Sequence, residues 1–320
     1  MAAKPFASSA DLQEKAETLE VLSDGVYALT AEGDPNVGAV EAEDFVVAFE
    51  ARATPVMARR WLEQLRRHTD KPVRYLVLSH YHAVRVLGAS AFDADAVVAH
   101  ENTCALVAER GLQDWESEHA RMPRLFTGYE TIPGLTWPTV TFTDRLSIDL
   151  GGERGELVLQ YCGRGHTEGD IVAWLPRRRI LFAGDLVEAR AALYTGDAFH
   201  LDWMGATLDR VASLGAEVLV GGRGAVVHGS AAVQAAIEQS RKFLTVLHAE
   251  VAAVHSRRGE LREAFQRAHA ALAPTYGGWP IFEHTLPFDV QRMWDELDGI
   301  ERPRIWTTER DREVWDQLQS

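Results

Sequence analysis

Two histidines set one residue apart, at the end of an apolar run, constrain this chain more than any other feature of its sequence. Tyr75-Leu76-Val77-Leu78 is short, apolar and bounded, which is the pattern of a buried strand. Ser79, His80, Tyr81 and His82 follow at once. Side chains of an extended backbone alternate, so His80 and His82 share a side and both imidazoles can reach one point beyond the strand end. Imidazole is the commonest biological ligand for zinc and for several other transition metals. Taken alone, the pair is equally compatible with a polar turn that closes a strand.

A metal held at a strand end needs a core behind it. The chain has 320 residues, of which 46% are hydrophobic, enough for one large domain or a domain with a substantial appendage. No segment approaches the ~18 unbroken apolar residues of a membrane span, so no membrane association is expected. Met1 to Ala10 lacks the apolar stretch of a secretory leader. Cys104 and Cys162 are too few for a disulfide framework, and a reducing cytoplasm is the expected location. A formal net charge of -14 argues against nucleic-acid binding.

Read in order, the chain opens with an N-terminal arm, residues 1–23, rich in Ala, Glu, Lys and Ser and expected to be a frayed helix. Residues 26–29, 38–40 and 45–49 read as strands. Thr54-Pro55 starts a helix whose apolar face is Met57, Trp61 and Leu65. After the histidine strand come a strand at 96–99 and a helix from Asn102, expected to stop at Gly111. Residues 112–138, with Trp115, His119, Phe126, Tyr129 and Trp137, show little periodicity and read as a lid or wall loop. Strands follow at 139–142, 145–150 and 156–161, then a hairpin at 171–183 turning at Pro176. A helix over 202–214 and a last strand at 218–220 complete this part. Beyond it, residues 231–258 and 260–272 form amphipathic helices, 274–287 a break, and 289–297 and 308–318 two short helices. The alternation of strands and helices suits a layered α/β protein.

Three short stretches then stand out together. The first is His80-Tyr81-His82-Ala83-Val84-Arg85 with Gly88, the second Gly165-His166-Thr167-Glu168-Gly169-Asp170, and the third Gly184-Asp185 at the end of the hairpin. They resemble the signatures of the metallo-β-lactamase superfamily, His-x-His-x-Asp-His, Gly-His-Thr-x-Gly-Asp and a strand-end Gly-Asp. The resemblance covers residues 24–230 and implies a four-layer αββα sandwich. Residues 231–320 would be a helical C-terminal extension, either an integral cap or the arm of a homodimer.

The departures from the pattern matter as much as the matches. Val84 stands where the superfamily has Asp, Arg85 where it has the last His, and Arg223 where a later loop supplies another His. The resemblance implies metal ligands His80, His82, His166 and Asp185, and a second metal half that has lost its own ligands. Arginine donates only and cannot bind a cation, so one divalent ion per chain is expected, zinc first and iron as the alternative. His228, five residues past Arg223, could replace the missing loop histidine only if the loop slips; a plain helix-entry residue is the simpler reading. Three His with an open position is the ligand set of a catalytic zinc. It implies hydrolysis of an ester, lactone, amide or thioester in a small molecule, with Asp185 as the remaining candidate base and Arg85 and Arg223 standing in electrostatically for a second ion. His80, His166 and Asp185 alone are a two-His-one-carboxylate set, which suits a non-haem iron oxygenase resembling the persulfide dioxygenases. A catalytically silent binding member is the third reading.

Overall fold

Alternation along the strands decides the layering of the molecule. In the computed structural model, which describes residues 5–319, the chain runs through β1 (Glu17–Ser23), β2 (Val26–Ala31), β3 (Val37–Glu41) and β4 (Val46–Phe49). Helix α1 (Pro55–Leu65), β5 (Val73–Val77), the one-turn α2 (Ala83–Val86), β6 (Ala96–His100), α3 (Glu101–Arg121) and β7 (Val140–Phe142) follow. These strands form one sheet in sequence order, antiparallel from β1 to β4 and parallel from β4 to β7. The second sheet holds β8 (Arg145–Gly151), β9 (Gly155–Tyr161), β10 (Ile171–Leu175), β11 (Ile180–Gly184), β12 (Val218–Gly221) and β13 (Val227–His228), ordered β13-β12-β11-β10-β9-β8. Helices α4 (His200–Asp202), α5 (Leu208–Ser213), α6 (Ser230–His255), α7 (Leu261–Tyr276), α8 (Phe282–Leu297) and α9 (Thr308–Gln319) complete the chain, with a π turn at Trp203–Thr207.

β10 and β11 show how period two builds layers. Ile171, Ala173, Leu175, Ile180 and Phe182 enter the core between the sheets, where they meet Val26, Val47 and Val77. Val172, Trp174, Leu181 and Ala183 point the other way, into a core shared with α6 to α9. Strands apolar on both faces are what a doubly covered sheet requires. On the far side of the first sheet, Leu29, Ala48 and Leu76 pack against Trp61 and Leu65 of α1. That helix starts where the sequence places it: the Thr54 hydroxyl accepts the Met57 N–H at 3.2 Å and Pro55 holds the first turn. The αββα sandwich with a helical extension is therefore the fold.

The structure corrects several local expectations. The arm expected over 1–23 is shorter than that, because Glu17–Ser23 is β1, hydrogen-bonded along β2; residues 1–4 lie outside the described residues. Helix α3 does not stop at Gly111 but continues to Arg121. Its second half buries Asp114, Ser117, Glu118 and Arg121, a polar face at helical spacing that carries no apolar signal. The expected wall loop is thus half helix. The break at 274–287 narrows to 277–281, since α7 runs through Pro274 and α8 contains Pro287. In that gap Ile281 has φ 60°, a left-handed conformation uncommon for a β-branched residue.

Candidate metal centre

The loops after β5, β9, β11 and β12 bring the three sequence motifs to one end of the sandwich. The turn after β5 fits because Gly88 has no side chain: a Cβ there would stand 2.8 Å from the Thr54 carbonyl oxygen. His80, His82 and His166 face one another with ring centroids 4.7–4.8 Å apart and planes 80–89° to each other. All three are buried.

Each ring has one nitrogen fixed by a neighbour. His80 Nδ1 lies 2.8 Å from Ser79 Oγ, His166 Nδ1 donates to the Tyr194 carbonyl at 2.8 Å, and His82 Nε2 lies 3.1 Å from Asp197 Oδ2. The remaining nitrogens, His80 Nε2, His82 Nδ1 and His166 Nε2, turn inward together; His166 Nε2 and His82 Nδ1 are 3.0 Å apart. His80 Nε2 has no hydrogen-bond partner among the described residues. A second hydrogen bond that sets the tautomer and aims the other nitrogen is the usual support of a metal-ligating histidine. Burial pushes the His80 imidazole well below its ordinary range and that of His166 down to about 3, so both stay neutral and keep their lone pairs. Burial also opposes charge on His82, but Asp114, Asp197 and Glu118 outweigh it and lift this ring to about 9. A cation would take the place of that proton. The donor set fits a metal ion.

Asp185, at the end of β11, directs Oδ2 toward the cluster, 3.5 Å from His166 Nε2 and 3.9 Å from His80 Nε2. Its other contacts are the two arginines. Arg85 binds Oδ1, and Arg223 Nη1 donates to Oδ2 at 3.0 Å. Gly222 makes room for this pairing, since any Cβ there would collide with Asp185 Oδ1. Burial would raise the Asp185 carboxyl, but Arg85 and Arg223 hold it well below the usual carboxylate range. Arg85 also donates to the Gly222 carbonyl at 2.9 Å, and Arg223 to Glu188 Oε1 at 3.3 Å. The two guanidinium groups thus occupy the half of the site where the superfamily pattern would put further ligands, and their charge is directed at Asp185. His228 is not among these groups. Pairing of β13 with β12 carries it to the sheet edge, where it is exposed and 2.6 Å from Glu20.

Helix α3 supplies residues that the motifs did not announce. Asp114 accepts the Ala83 N–H at 2.7 Å and Glu118 the Val84 N–H at 2.8 Å. Asp197 accepts from Tyr81 Oη at 2.7 Å while holding His82. His82, Asp185 and Arg223 share a cavity with Glu118 and Arg121 of α3, and Ile281, just before α8, with His284 and Thr285 of α8, roofs it. Its free space is about 10 Å³, close to the room of one water molecule. The signal for α3 was present as polar residues at 110, 114, 117, 118 and 121, a helical face that hydrophobic periodicity cannot detect.

Comparison with known proteins bears on the family and the fold. The family model described as "Metallo-beta-lactamase superfamily" matches residues 46–223. A metallo-beta-lactamase type 2 of Bacillus sp. (strain 170) is 30% identical over 150 residues, 46% of this chain and 49% of that protein. The 2,4-dinitroanisole O-demethylase subunit alpha of Nocardioides sp. (strain JS1661) is 27% identical over 191 residues, 59% of this chain and 50% of its own length. The chain spans about half the length of these curated relatives. Among solved structures, a double mutant of the sec-alkyl sulfatase PisA1 superposes with a TM-score of 0.68 at 16% identity, covering 88% of this chain and 50% of that one. No helix among the described residues is long and apolar enough to cross a membrane.

Proposed function

The chain belongs to the metallo-beta-lactamase superfamily, and from that premise we propose a metal-dependent hydrolase with one ion per chain, acting on an ester, lactone, amide or thioester of a small molecule. The observation that carries this reading is the convergence of three imidazole nitrogens, each ring anchored from behind by a hydrogen-bond partner on its other nitrogen, next to a second half filled by Arg85 and Arg223. A zinc ion held by three imidazoles supplies Lewis acidity to a carbonyl and lowers the pKa of water to near neutrality. His80, His82 and His166 would hold it. Asp185 would stay ionised beside it, and the paired arginines would keep a second cation out by charge and by bulk. The cavity roofed by α8 would keep bulk water from the reacting bond.

Zinc is favoured over iron because His82 completes a set of three imidazoles, while the carboxylate of the two-His-one-carboxylate alternative is already engaged by two guanidinium groups. The relatives are named for a lactamase and an O-demethylase, so they fix no single bond type for this chain. Elemental analysis of protein purified without added metal tests the reading. The expected result is one zinc per chain, with turnover of members of a panel of activated esters and lactones. Two metals per chain would overturn the mononuclear centre. One iron per chain, with oxygen consumed in the presence of thiols, would transfer the assignment to the oxygenase. A zinc-loaded protein silent across the panel would leave a binding member.

A further inference from the structure

We propose that Glu118, on helix α3, is the proton acceptor of the site, in place of the aspartate that the His-x-His-x-Asp-His pattern would put at position 84. The inference rests on the hydrolase reading above. Its ground is where the carboxylate stands. Glu118 Oε2 accepts the backbone N–H of Val84 at 2.8 Å, so the acid is fastened beside the very position that lost its own. The residue is 3% exposed and lines the cavity that also contains His82, Asp185 and Arg223. Asp114, one turn earlier, fastens Ala83 in the same way, and the two acids lock the helix against the histidine loop. Glu118 is therefore held at one oxygen by the histidine loop, and its helix is tied to that loop a turn earlier.

Asp185 is the competing candidate, and its geometry argues against it. Both of its oxygens receive guanidinium hydrogen bonds, from Arg85 and from Arg223. A carboxylate so engaged must break a charge-assisted hydrogen bond to accept a proton. Asp114 and Asp197 are engaged with Ala83 and with His82 and Tyr81 respectively. Neither lines the cavity. Glu118 alone among these acids combines a fixed carboxylate with a place in the cavity wall and no guanidinium hydrogen bond among the described residues, with Arg121 and Arg223 lining the same cavity.

The step balances with one water. An O–H bond of the water breaks and its proton passes to Glu118, while its oxygen bonds to the acyl carbon. The bond from that carbon to the leaving group then breaks, and Glu118 returns the proton to the departing oxygen, nitrogen or sulfur. Substrate and water are consumed, acid and alcohol, amine or thiol are formed, and Glu118 ends as it began.

The isosteric Glu118→Gln tests this, because the glutamine oxygen still accepts the Val84 N–H. Zinc content of both proteins is measured first and should be equal. Acetohydroxamic acid is then titrated calorimetrically into each zinc-loaded protein in buffers of different ionisation enthalpy, which counts protons released on binding. The hydroxamic acid must give up a proton as it ligates. At a pH low enough that the solvent displaced from the site is water, not hydroxide, wild type should retain that proton on Glu118 and release almost none, whereas Glu118→Gln should release about one per ligand bound. With any ester that wild type hydrolyses, kcat should fall about 10²–10⁴-fold with KM little changed. Equal proton release from the two zinc-loaded proteins would overturn the role of Glu118 and leave the hydrolase reading standing. A protein that takes up no zinc, or takes up zinc and binds no hydroxamate, would remove the hydrolase reading and this inference with it.

Discussion

Arg85 and Asp185 are both buried, so neither charge has much water to fall back on. Removing one partner of such a pair strands the other, which typically costs about 3–5 kcal/mol. Arg85→Ala should lose stability on that scale in urea unfolding, while its zinc content stays that of wild type, because no imidazole contact is touched. Asp197 works differently. It holds His82 by one oxygen and takes the Tyr81 hydroxyl on the same atom. Asp197→Asn keeps the shape but weakens the hold on the ring, and zinc affinity should fall about 10–100-fold in a chelator competition. At this scale the sequence was readable where ligands sit in short loops after strands. His80, His82, His166 and Asp185 were singled out that way as candidates, and the fold brings them to one end of the sandwich. Asp197 was not, because it belongs to no periodic pattern and meets His82 only through the tertiary fold.

Helices were harder to read than strands, for a physical reason. β10 and β11 announce themselves because both faces are apolar and the period is two. Helix α3 hid beyond Gly111 because its inward face is made of Asp114, Ser117, Glu118 and Arg121, which satisfy one another and the histidine loop instead of an oily core. Gly111 was expected to stop the helix; instead it lets α3 pass close to Leu135, which would stand 3.2 Å from a Cβ there. Helix α8 shows the same use of polar ties. Glu296 accepts from the His200 backbone N–H at 3.1 Å and lies 2.7 Å from its Nδ1, joining α8 to the turn at α4. Burial would raise the Glu296 carboxyl, but His200 and Arg292 lower it to about 2. A depressed folded-state value means the contribution is complete above the unfolded value of about 4.3 and disappears as pH falls toward 2. Wild type should therefore lose up to about 3 kcal/mol between those limits from this group alone. Glu296→Gln should flatten that part of the curve in acid denaturation followed by circular dichroism.

For the molecule as a whole, the extension is part of the core. Val233, Phe243, Leu247, Phe282 and Trp315 share one buried cluster with Val172, Leu181 and Leu219 of the second sheet. Helix α9 also reaches back to α3, where Asp311 accepts from Ser117 at 2.6 Å and stands 3.8 Å from Arg121. An ion that binds only the folded chain stabilises all of this at once. At a hundred times its dissociation constant the gain is about 2.7 kcal/mol, so chelation should lower the melting temperature and zinc should restore it. A layered α/β protein could be read from the alternation of strands and helices, and the four-layer order followed from the resemblance, but not that the last helices would roof the site, because that contact is made between segments far apart in the chain.

The roof has a kinetic consequence. A space that admits one water cannot admit an ester, so a ligand meets a closed door on most encounters. Uptake should then wait on a displacement of Ile281, His284 and Thr285, among which Ile281 has the left-handed backbone that favours glycine. The observed binding rate should rise with ligand concentration and then level off at the frequency with which the door opens. Apparent affinity would be reduced by the fraction of time the door stands open. Ile281→Gly, which removes a side chain from the roof and frees the backbone there, should raise that plateau in stopped-flow measurements.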